Sequence, residues 1–156
     1  MRIGITERGD AVLNLEWIKK MDSVDFAVII TKGIANAGEE FKSALKKYQN
    51  KIILHATCTG LGKKLEPNVP DKIKTRDALR KLDFPKEQIV LRVDPIIPTD
   101  VGIEKAHDVL MLFCQEGIKR VRFSFIDMYP HVTERFVRAG ISQHPYKGQF
   151  SPSQQM

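Results

Sequence analysis

The segment IVLRVDPIIPT, residues 89–99, combines an apolar run with two opposite charges, Arg92 and Asp94. The apolar run is typical of a buried strand, and the prolines after it indicate the loop at which that strand ends. A guanidinium and a carboxylate at such an exit could hold a charged ligand. They could equally form an ion pair that only closes the strand, so this pair by itself leaves both interpretations open.

The ends of the other predicted strands are polar too. Glu7, Arg8 and Asp10 follow the first strand, Thr31 and Lys32 the second, Thr57 and Thr59 the third, and Ser124, Asp127, Tyr129 and His131 the fifth. Charged groups at strand ends are costly to desolvate unless a partner or a ligand compensates them, so we predict one shared ligand site. The residues expected to converge on it are Glu7, Arg8, Lys32, Thr59, Arg92 and Asp127. The alternative is a ring of internal salt bridges that holds this edge of the sheet together.

The loop TGLGKKLEPNVP, residues 59–70, is the most informative single segment. Gly60 and Gly62 allow the backbone to approach a ligand closely, Lys63 and Lys64 could hold an anion, and the prolines stiffen the chain. The spacing of a phosphate-binding P-loop is missing, as is G-x-G-x-x-G, so the loop predicts no nucleotide motif. The alternative is a rigid loop that covers the sheet edge without binding.

Histidines offer the other candidate chemistry. His131 follows the sequence DMYP, close to an acid and a phenol, and is the imidazole best placed to shuttle a proton. Its i, i+3 spacing from Glu134 would also allow the two to ligate a divalent ion, but no other spacing supports a metal site and none is predicted. His55 lies within a predicted strand and His107 within a predicted helix, where core or surface roles are more common than ligation.

The elements that would position these residues alternate between strand and helix. Short runs rich in valine and isoleucine predict strands over residues 2–6, 24–31, 51–57, 88–93 and 120–126. Apolar residues at three- and four-residue spacing predict helices over 13–21, 36–48, 75–82, 102–117 and 131–140. This alternation predicts five βα units in a parallel sheet whose strands all end on the same edge, where function usually resides.

Composition places the chain among ordinary globular domains. Its 156 residues are 42% hydrophobic and 28% charged, which fits one domain with a sizeable core and excludes a disordered chain. No apolar run approaches the roughly 20 residues of a membrane span, and no signal peptide is recognisable, so we expect a cytoplasmic protein. Cys58 and Cys114 lie in apolar segments and are expected to be reduced. A net charge of +6 weakly favours an anionic partner such as phosphate or nucleic acid.

The chain carries five blocks that resemble, in order, those of the bacterial and phage domain-of-unknown-function 1848 family: ITERGDA…NLEW, VDFAVIITKG, TCTGLGKKLEPNVP, LRVDPIIPT and RFSFIDMYPHV. Their strand ends are also similar to those of spore photoproduct lyase and other radical S-adenosylmethionine proteins. This resemblance implies an α/β fold, a partial, open (β/α) barrel similar to a TIM barrel, that binds S-adenosylmethionine beside a [4Fe–4S] cluster. Arg92 and Asp94 would then belong to the cofactor or substrate pocket, with Lys64, Glu66 and Asn68 on the loop above it.

The chain departs from the resembled enzymes in its cysteines. A radical enzyme of this class holds its cluster with three thiolates, typically in a C-x₃-C-x₂-C run, and the first loop here contains no cysteine. Cys58 and Cys114 cannot supply three ligands, so we expect the cluster cysteines to lie C-terminal to the region covered here and this chain to bind no cofactor. Residues 1–150 are expected to form the partial barrel and residues 151–156 to begin a truncated helix, with Ser151 as its N-cap.

Two functions fit these observations. The first is a radical S-adenosylmethionine-like enzyme, or a fragment of one, that acts on nucleic acid or a nucleotide. The second is a non-catalytic barrel module that binds a phosphorylated small molecule at the carboxyl ends of the strands. We assign catalytic roles to Asp94, Asp127, Tyr129 and His131, and ligand binding to Glu7, Arg8, Lys32, Thr59, Lys64, Glu66, Asn68 and Arg92. Because five βα units do not close a barrel, the strand over residues 120–126 is expected to pair with a second copy or a completing chain.

Overall fold

The computed structural model of the protein describes residues 1–141 and 145–146. Its strands are β1 (Ile3–Ile5), β2 (Phe26–Thr31), β3 (Ile52–Thr57), β4 (Ile89–Ile96) and β5 (Arg120–Phe125). Its α-helices are α1 (Glu39–Lys47), α2 (Lys72–Lys81), α3 (Asp100–Gln115) and α4 (Pro130–Arg138), and 3₁₀ helices span Leu15–Ser23, Ile34–Asn36 and Lys86–Gln88. The first predicted helix is therefore a 3₁₀ helix, and the helix predicted from residue 151 lies outside the described residues.

The five strands form one open, parallel sheet in the order β1-β2-β3-β4-β5, which confirms the predicted α/β fold with five parallel strands. Each connection moves one strand in the same direction, and right-handed crossovers of that kind place the connecting helices on one side of the sheet. All five strands end at the same edge, which we call the carboxyl edge. The polar strand exits therefore lie along this edge.

The helix-facing side of the sheet forms the main core. Leu54, Leu91 and Val93 are buried there in one cluster with Phe41 of α1 and Phe113 of α3. Each such side chain contributes about 1.5–3 kcal/mol when it is fully buried, so this layer supplies most of the hydrophobic stabilisation. The strands could be located from sequence because this buried layer requires apolar residues in every one of β2, β3 and β4.

The opposite side of the sheet, which we call the open face, is only partly shielded from solvent. Ile3 and Ile5 of β1 lie on it and are both more than half exposed. Toward the carboxyl edge the open face becomes polar, since Thr57, Arg92 and Arg122 are paired across β3, β4 and β5. Paired residues of neighbouring strands project to the same side of a sheet, so these three side chains share the open face.

β5 is the least covered strand. All six of its residues are exposed, including Phe123 on the helix-facing side, which is 62% exposed. α4 does not cover it, because Phe136 of α4 packs in a small second cluster with Leu65, Ile97 and Ile126 near the carboxyl edge. β5 therefore leaves apolar side chains and the outer backbone edge of the sheet in solvent.

The start of α3 is fitted closely to the loop that follows β4. Thr99 caps its first turn by accepting a hydrogen bond from the Gly102 N–H at 3.1 Å. Only glycine fits at position 102, since a Cβ there would lie 2.0 Å from the carbonyl oxygen of Ile97. Within the described ranges no helix, α3 included, has the length and apolar character needed to span a membrane.

Candidate functional site

Arg92 and Asp94 form an ion pair at the carboxyl edge. Arg92 Nη2 donates a hydrogen bond to Asp94 Oδ2, and Ser124 Oγ on β5 donates to Asp94 Oδ1 at 2.5 Å. Both side chains of the pair are mostly buried, with 13% of Arg92 and 23% of Asp94 exposed. The β4–β5 register shifts just beyond Val93, and such a bulge re-aims the side chains beside it. The pair thus closes the strand and also lines the cavity described below.

Asp94 is held as a carboxylate. Burial alone would raise its pKa, but the hydrogen bonds from Ser124 and Arg92, together with the charge of Arg92, outweigh burial and lower it. The charge of Lys32 lowers this pKa further. Because an acid with a lowered pKa is a poor proton donor at neutral pH, the geometry favours Asp94 as a charged anchor, and its catalytic role stays a prediction.

A second ion pair ties the loop of residues 59–70 to the end of β2. Lys32 Nζ lies 2.7 Å from Glu66 Oε1, and Thr59 Oγ1 donates to Glu66 Oε2. Only 10% of the Glu66 side chain is exposed. Lys63 braces the same loop by donating to two of its carbonyl oxygens, at 3.1 and 2.7 Å. These bonds favour a rigid loop that forms one wall of the site.

Asp10 organises the backbone beside Lys32. Its carboxylate accepts hydrogen bonds from Val12 N, Thr31 Oγ1, Lys32 N and Gly33 N, at 2.9, 2.6, 2.6 and 3.0 Å. These bonds join the turn after β1 to the end of β2 and so fix the point from which the Lys32 side chain departs. Sequence reasoning placed Asp10 at a strand exit but assigned it no role.

Two adjoining cavities lie along the carboxyl edge, and we call them together the mouth. The first, of about 410 Å³, is lined by Asp10, Ile30, Thr31, Lys32, Thr57, Arg92 and Asp94. The second, of about 300 Å³, is lined by Lys32, Glu66, Asp94, Ser124, Asp127, Tyr129 and His131. Lys32 and Asp94 belong to both. The mouth thus brings together most of the residues that the sequence indicated, and Thr59 joins them through its bond to Glu66.

Five predicted binding residues do not line the mouth, and one of them, Thr59, is joined to it only through its bond to Glu66. Glu7 and Arg8 are exposed and line a different cavity, of about 510 Å³, because the chain turns at Gly9 with a φ of 87° before Asp10 reaches the mouth. Lys64 is exposed and lines an apolar cavity of about 570 Å³ beside α3 and α4, and Asn68 is an exposed loop residue. Their binding roles therefore stay predictions.

The predicted catalytic residues after β5 lie on the rim of the mouth. The rings of Tyr129 and His131 are stacked, with centroids 5.8 Å apart and planes inclined by 8°. Both side chains are exposed, whereas Asp127 is half-buried. An exposed imidazole on the rim can exchange protons with solvent, which is compatible with the predicted shuttle role of His131.

Metal or cluster binding finds no support among the described side chains. Residues 1–141 and 145–146 contain no group of three or more His, Cys, Asp or Glu side chains placed to hold an ion, His131 and Glu134 included. Cys58 follows β3 at the carboxyl edge, and burial raises its pKa to about 12. Cys114 is exposed in the last turn of α3, which runs back toward the opposite edge. The two thiols therefore do not fit a [4Fe–4S] cluster.

His55 and Arg122 are polar residues of this region that sequence reasoning did not place in the site: it gave His55 a core or surface role and did not consider Arg122. Each lies inside a strand rather than at its exit, and the register places both on the open face, on either side of β4. His55 Nδ1 and Arg92 Nε are buried and have no hydrogen-bond partner among the described residues. Burial first, and the charges of Arg92 and Arg122 next, lower the pKa of His55 to about 4. The signal that could have found them is the two-residue alternation of β3 and β5.

Comparison with known proteins identifies the family. No curated protein and no solved structure matched the chain. Residues 13–155 match the family described as Domain of unknown function (DUF1848). The match includes β2 to β5 and the loop of residues 59–70, and so contains both ion pairs of the mouth. The family predicted from the sequence blocks is thereby confirmed, and the chain belongs to the DUF1848 family.

Proposed function

We propose that the mouth binds an anionic small molecule at the carboxyl edge of a partial, open (β/α) barrel. The observation that carries this proposal is Arg92 Nε, which is buried and has no hydrogen-bond partner in the described part of the chain. A buried guanidinium N–H without a partner is costly, because it has lost its hydration and gained no bond in exchange. An oxyanion bound in the mouth would supply the missing acceptor.

The fold supports this location. Parallel strands in sequential order, with helices on one side, are the arrangement of consecutive units in a (β/α) barrel. In such folds the loops at the carboxyl ends of the strands bind the ligand. The mouth lies at that edge, and its larger cavity of about 410 Å³ has the size of a small-molecule site.

The charges of the mouth suit an anion. Asp94 holds the guanidinium of Arg92 through Nη2, which orients it and leaves Nε for a ligand. Lys32 lines the same cavity, and Glu66 fixes its ammonium group. Thr57 adds a buried side chain with a hydroxyl group. Because these groups are already held in place, binding costs little further side-chain ordering.

Arg92→Ala is expected to weaken the binding of inorganic phosphate by roughly 10- to 150-fold, the equivalent of one charged hydrogen bond of about 1.5–3 kcal/mol. Arg92→Lys should restore little, because an ammonium group cannot reproduce the two-sided geometry of a guanidinium. The measurement is isothermal titration calorimetry at low ionic strength. The matched control is Arg80→Ala, which removes an arginine paired with Glu116 in the helix layer and should leave the affinity unchanged.

Two outcomes would count against this assignment. If Arg92→Ala binds phosphate as tightly as the unaltered protein does, the anion binds elsewhere. Loss of the folded state in Arg92→Ala, seen by circular dichroism, would favour an ion pair whose role is structural. If the unaltered protein binds no phosphate, the proposed function itself is wrong.

The second candidate is a radical S-adenosylmethionine-like enzyme that acts on nucleic acid or a nucleotide. The similar strand ends carry this proposal, and Asp127, Tyr129 and His131 on the rim are the residues that would meet a substrate. The net charge of +6 and the two free thiols support an anionic substrate and a reducing, cytoplasmic setting. Because the described cysteines do not fit a [4Fe–4S] cluster, we assign no chemical step to one.

Iron and cofactor binding test this second candidate. After anaerobic reconstitution with iron and sulfide, we expect this chain to show no cluster absorbance, because its two thiols lie at opposite edges of the sheet. Binding of S-adenosylmethionine in equilibrium dialysis, lost in Arg92→Ala, would support the mouth as its pocket. A stable iron–sulfur cluster on this chain alone would show that our interpretation, that its two thiols do not fit one, is wrong.

A further inference from the structure

We propose that the anion site extends from the mouth onto the open face, where His55, Arg92 and Arg122 bind an oxyanion with two negative charges, such as a phosphate monoester, and that His55 takes up a proton when the anion binds. This inference rests on the proposed function, since Arg92 is common to both. It adds His55 and Arg122 to the site, specifies a ligand with two negative charges, and predicts that a proton is taken up on binding.

The register of the sheet places the three side chains on the same face of three consecutive strands. Arg92 of β4 is paired with Thr57 of β3 on one side and with Arg122 of β5 on the other. His55 lies two residues before Thr57 and therefore projects from the same face, one step below the cavity lined by Thr57 and Arg92. The cluster therefore extends the mouth along the open face, away from the carboxyl edge.

Two buried polar atoms of the cluster have no hydrogen-bond partner among the described residues. Only 9% of His55 is exposed, and its Nδ1 has no hydrogen-bond partner among the residues described. Arg92 Nε is buried and unpaired in the same way. Arg122 is exposed and forms no ion pair or hydrogen bond with another residue in the described ranges 1–141 and 145–146. One oxyanion between them would accept hydrogen bonds from all three side chains.

The charges that surround His55 are mostly positive. On β2 its paired residue is Ile30, which is uncharged. On β4 its paired residue is Val90, with Arg92 and then Asp94 above it, and β5 contributes Arg120 beside Val90 and Arg122 beside Arg92. Asp94 is the one carboxylate that these strands place on the open face, and it is already bonded to Arg92 and Ser124. Three arginines, Arg92, Arg120 and Arg122, therefore share this face with one carboxylate, and the positive charge that remains favours a dianion over a monoanion.

The same surroundings explain why His55 should take up a proton when the anion binds. In the free protein, burial and the charges of Arg92 and Arg122 lower the pKa of His55 to about 4, so the imidazole is neutral at pH 7. A bound dianion would cancel the repulsion from both arginines and add an attraction for the imidazolium form. The pKa of His55 should therefore rise when the anion binds, and protons should be taken up between that raised value and the value of the free protein.

The test uses sulfate, because it remains a dianion throughout the pH range and any proton taken up must bind the protein. We expect saturating sulfate to raise the pKa of His55 by about one unit or more. NMR of the unaltered protein measures this pKa. Calorimetric titrations in two buffers of different ionisation enthalpy at pH 5 should show proton uptake. His55→Gln should abolish this uptake, whereas the matched control His107→Gln, on the exposed surface of α3, should retain it.

Arg122→Ala tests the third member of the cluster. We expect it to weaken sulfate binding about fivefold, since it removes one exposed charged partner, and Arg138→Ala on α4 should have no effect. This inference is overturned, and the proposed function stands, if sulfate binding depends on Arg92 but two other results are negative. These are a pKa of His55 that sulfate does not change and an Arg122→Ala variant that binds sulfate as tightly as the unaltered protein. If the unaltered protein binds neither phosphate nor sulfate, both are overturned. The NMR titration needs no variant, so misfolding of His55→Gln cannot obscure the result.

Discussion

Asp10→Ala should lower the free energy of unfolding by about 3–5 kcal/mol, because several charge-assisted hydrogen bonds are lost together. The Asp10 carboxylate accepts three backbone N–H groups and the Thr31 hydroxyl, two of these bonds at 2.6 Å. Without it, the backbone N–H of Lys32 loses its acceptor, and that of Gly33 keeps only the Thr31 hydroxyl oxygen, at 2.8 Å. Phosphate binding should weaken as well, since the Lys32 side chain departs from this turn.

Urea denaturation followed by circular dichroism measures this effect. The matched control is Asp25→Ala, in which the lost carboxylate accepts one exposed backbone N–H, from Arg2 at 2.6 Å, and we expect a loss below about 1 kcal/mol. Asp10→Asn should fall between the two, because its amide oxygen keeps part of the acceptor set. Equal stability of Asp10→Ala and the Asp25→Ala control would show that the Asp10 bonds do not organise the edge.

The protein is expected to self-associate through β5, with a second copy as the partner. β5 exposes all six residues and the outer backbone edge of the sheet, and its Phe123 and Phe125 rings contact each other edge to face at 6.5 Å. β1 forms the other edge, runs in the same direction and carries the exposed Ile3 and Ile5. The β5 edge of one copy could therefore continue in parallel onto the β1 edge of another.

Light scattering coupled to size-exclusion chromatography, over a range of protein concentrations, tests this expectation. Phe123→Lys should shift the protein toward the monomer, because it places a charge on the apolar edge strand. Val137→Lys is the matched control, since Val137 is also an exposed apolar residue, 70% exposed on α4, but lies off the sheet edge. A monomer at every concentration, for the unaltered protein, would rule out this association.

The strands were predictable because burial between helices and sheet imposes a strong local pattern. The run predicted over residues 51–57 forms β3 at Ile52–Thr57, and the run over 120–126 forms β5 at Arg120–Phe125. β4 was predicted to end at residue 93, yet it continues to Ile96 through a register shift. Proline inside a run normally argues against a strand, and a bulge is one of the places where a sheet accepts it.

The direction of each side chain at a strand exit was less predictable. Lys32 and Arg92 line the mouth as expected, but Glu7 and Arg8 line another cavity because the chain turns at Gly9 before Asp10 reaches the mouth. Such a turn depends on the backbone conformation of a glycine, which a residue pattern does not specify.

The amino-acid sequence by itself determined the five βα units, their parallel order, the common edge of their polar exits and the DUF1848 family, because these follow from local periodicity and matching blocks. Only the tertiary structure decided which polar groups meet. Glu66 reaches Lys32 from a different loop, and His55 shares the open face with Arg92 and Arg122, whose charges lower its pKa from separate strands. The physical reason is that these residues are distant in sequence and are brought together by strand register and loop placement. Burial and charge then act between them across the fold and not along the chain.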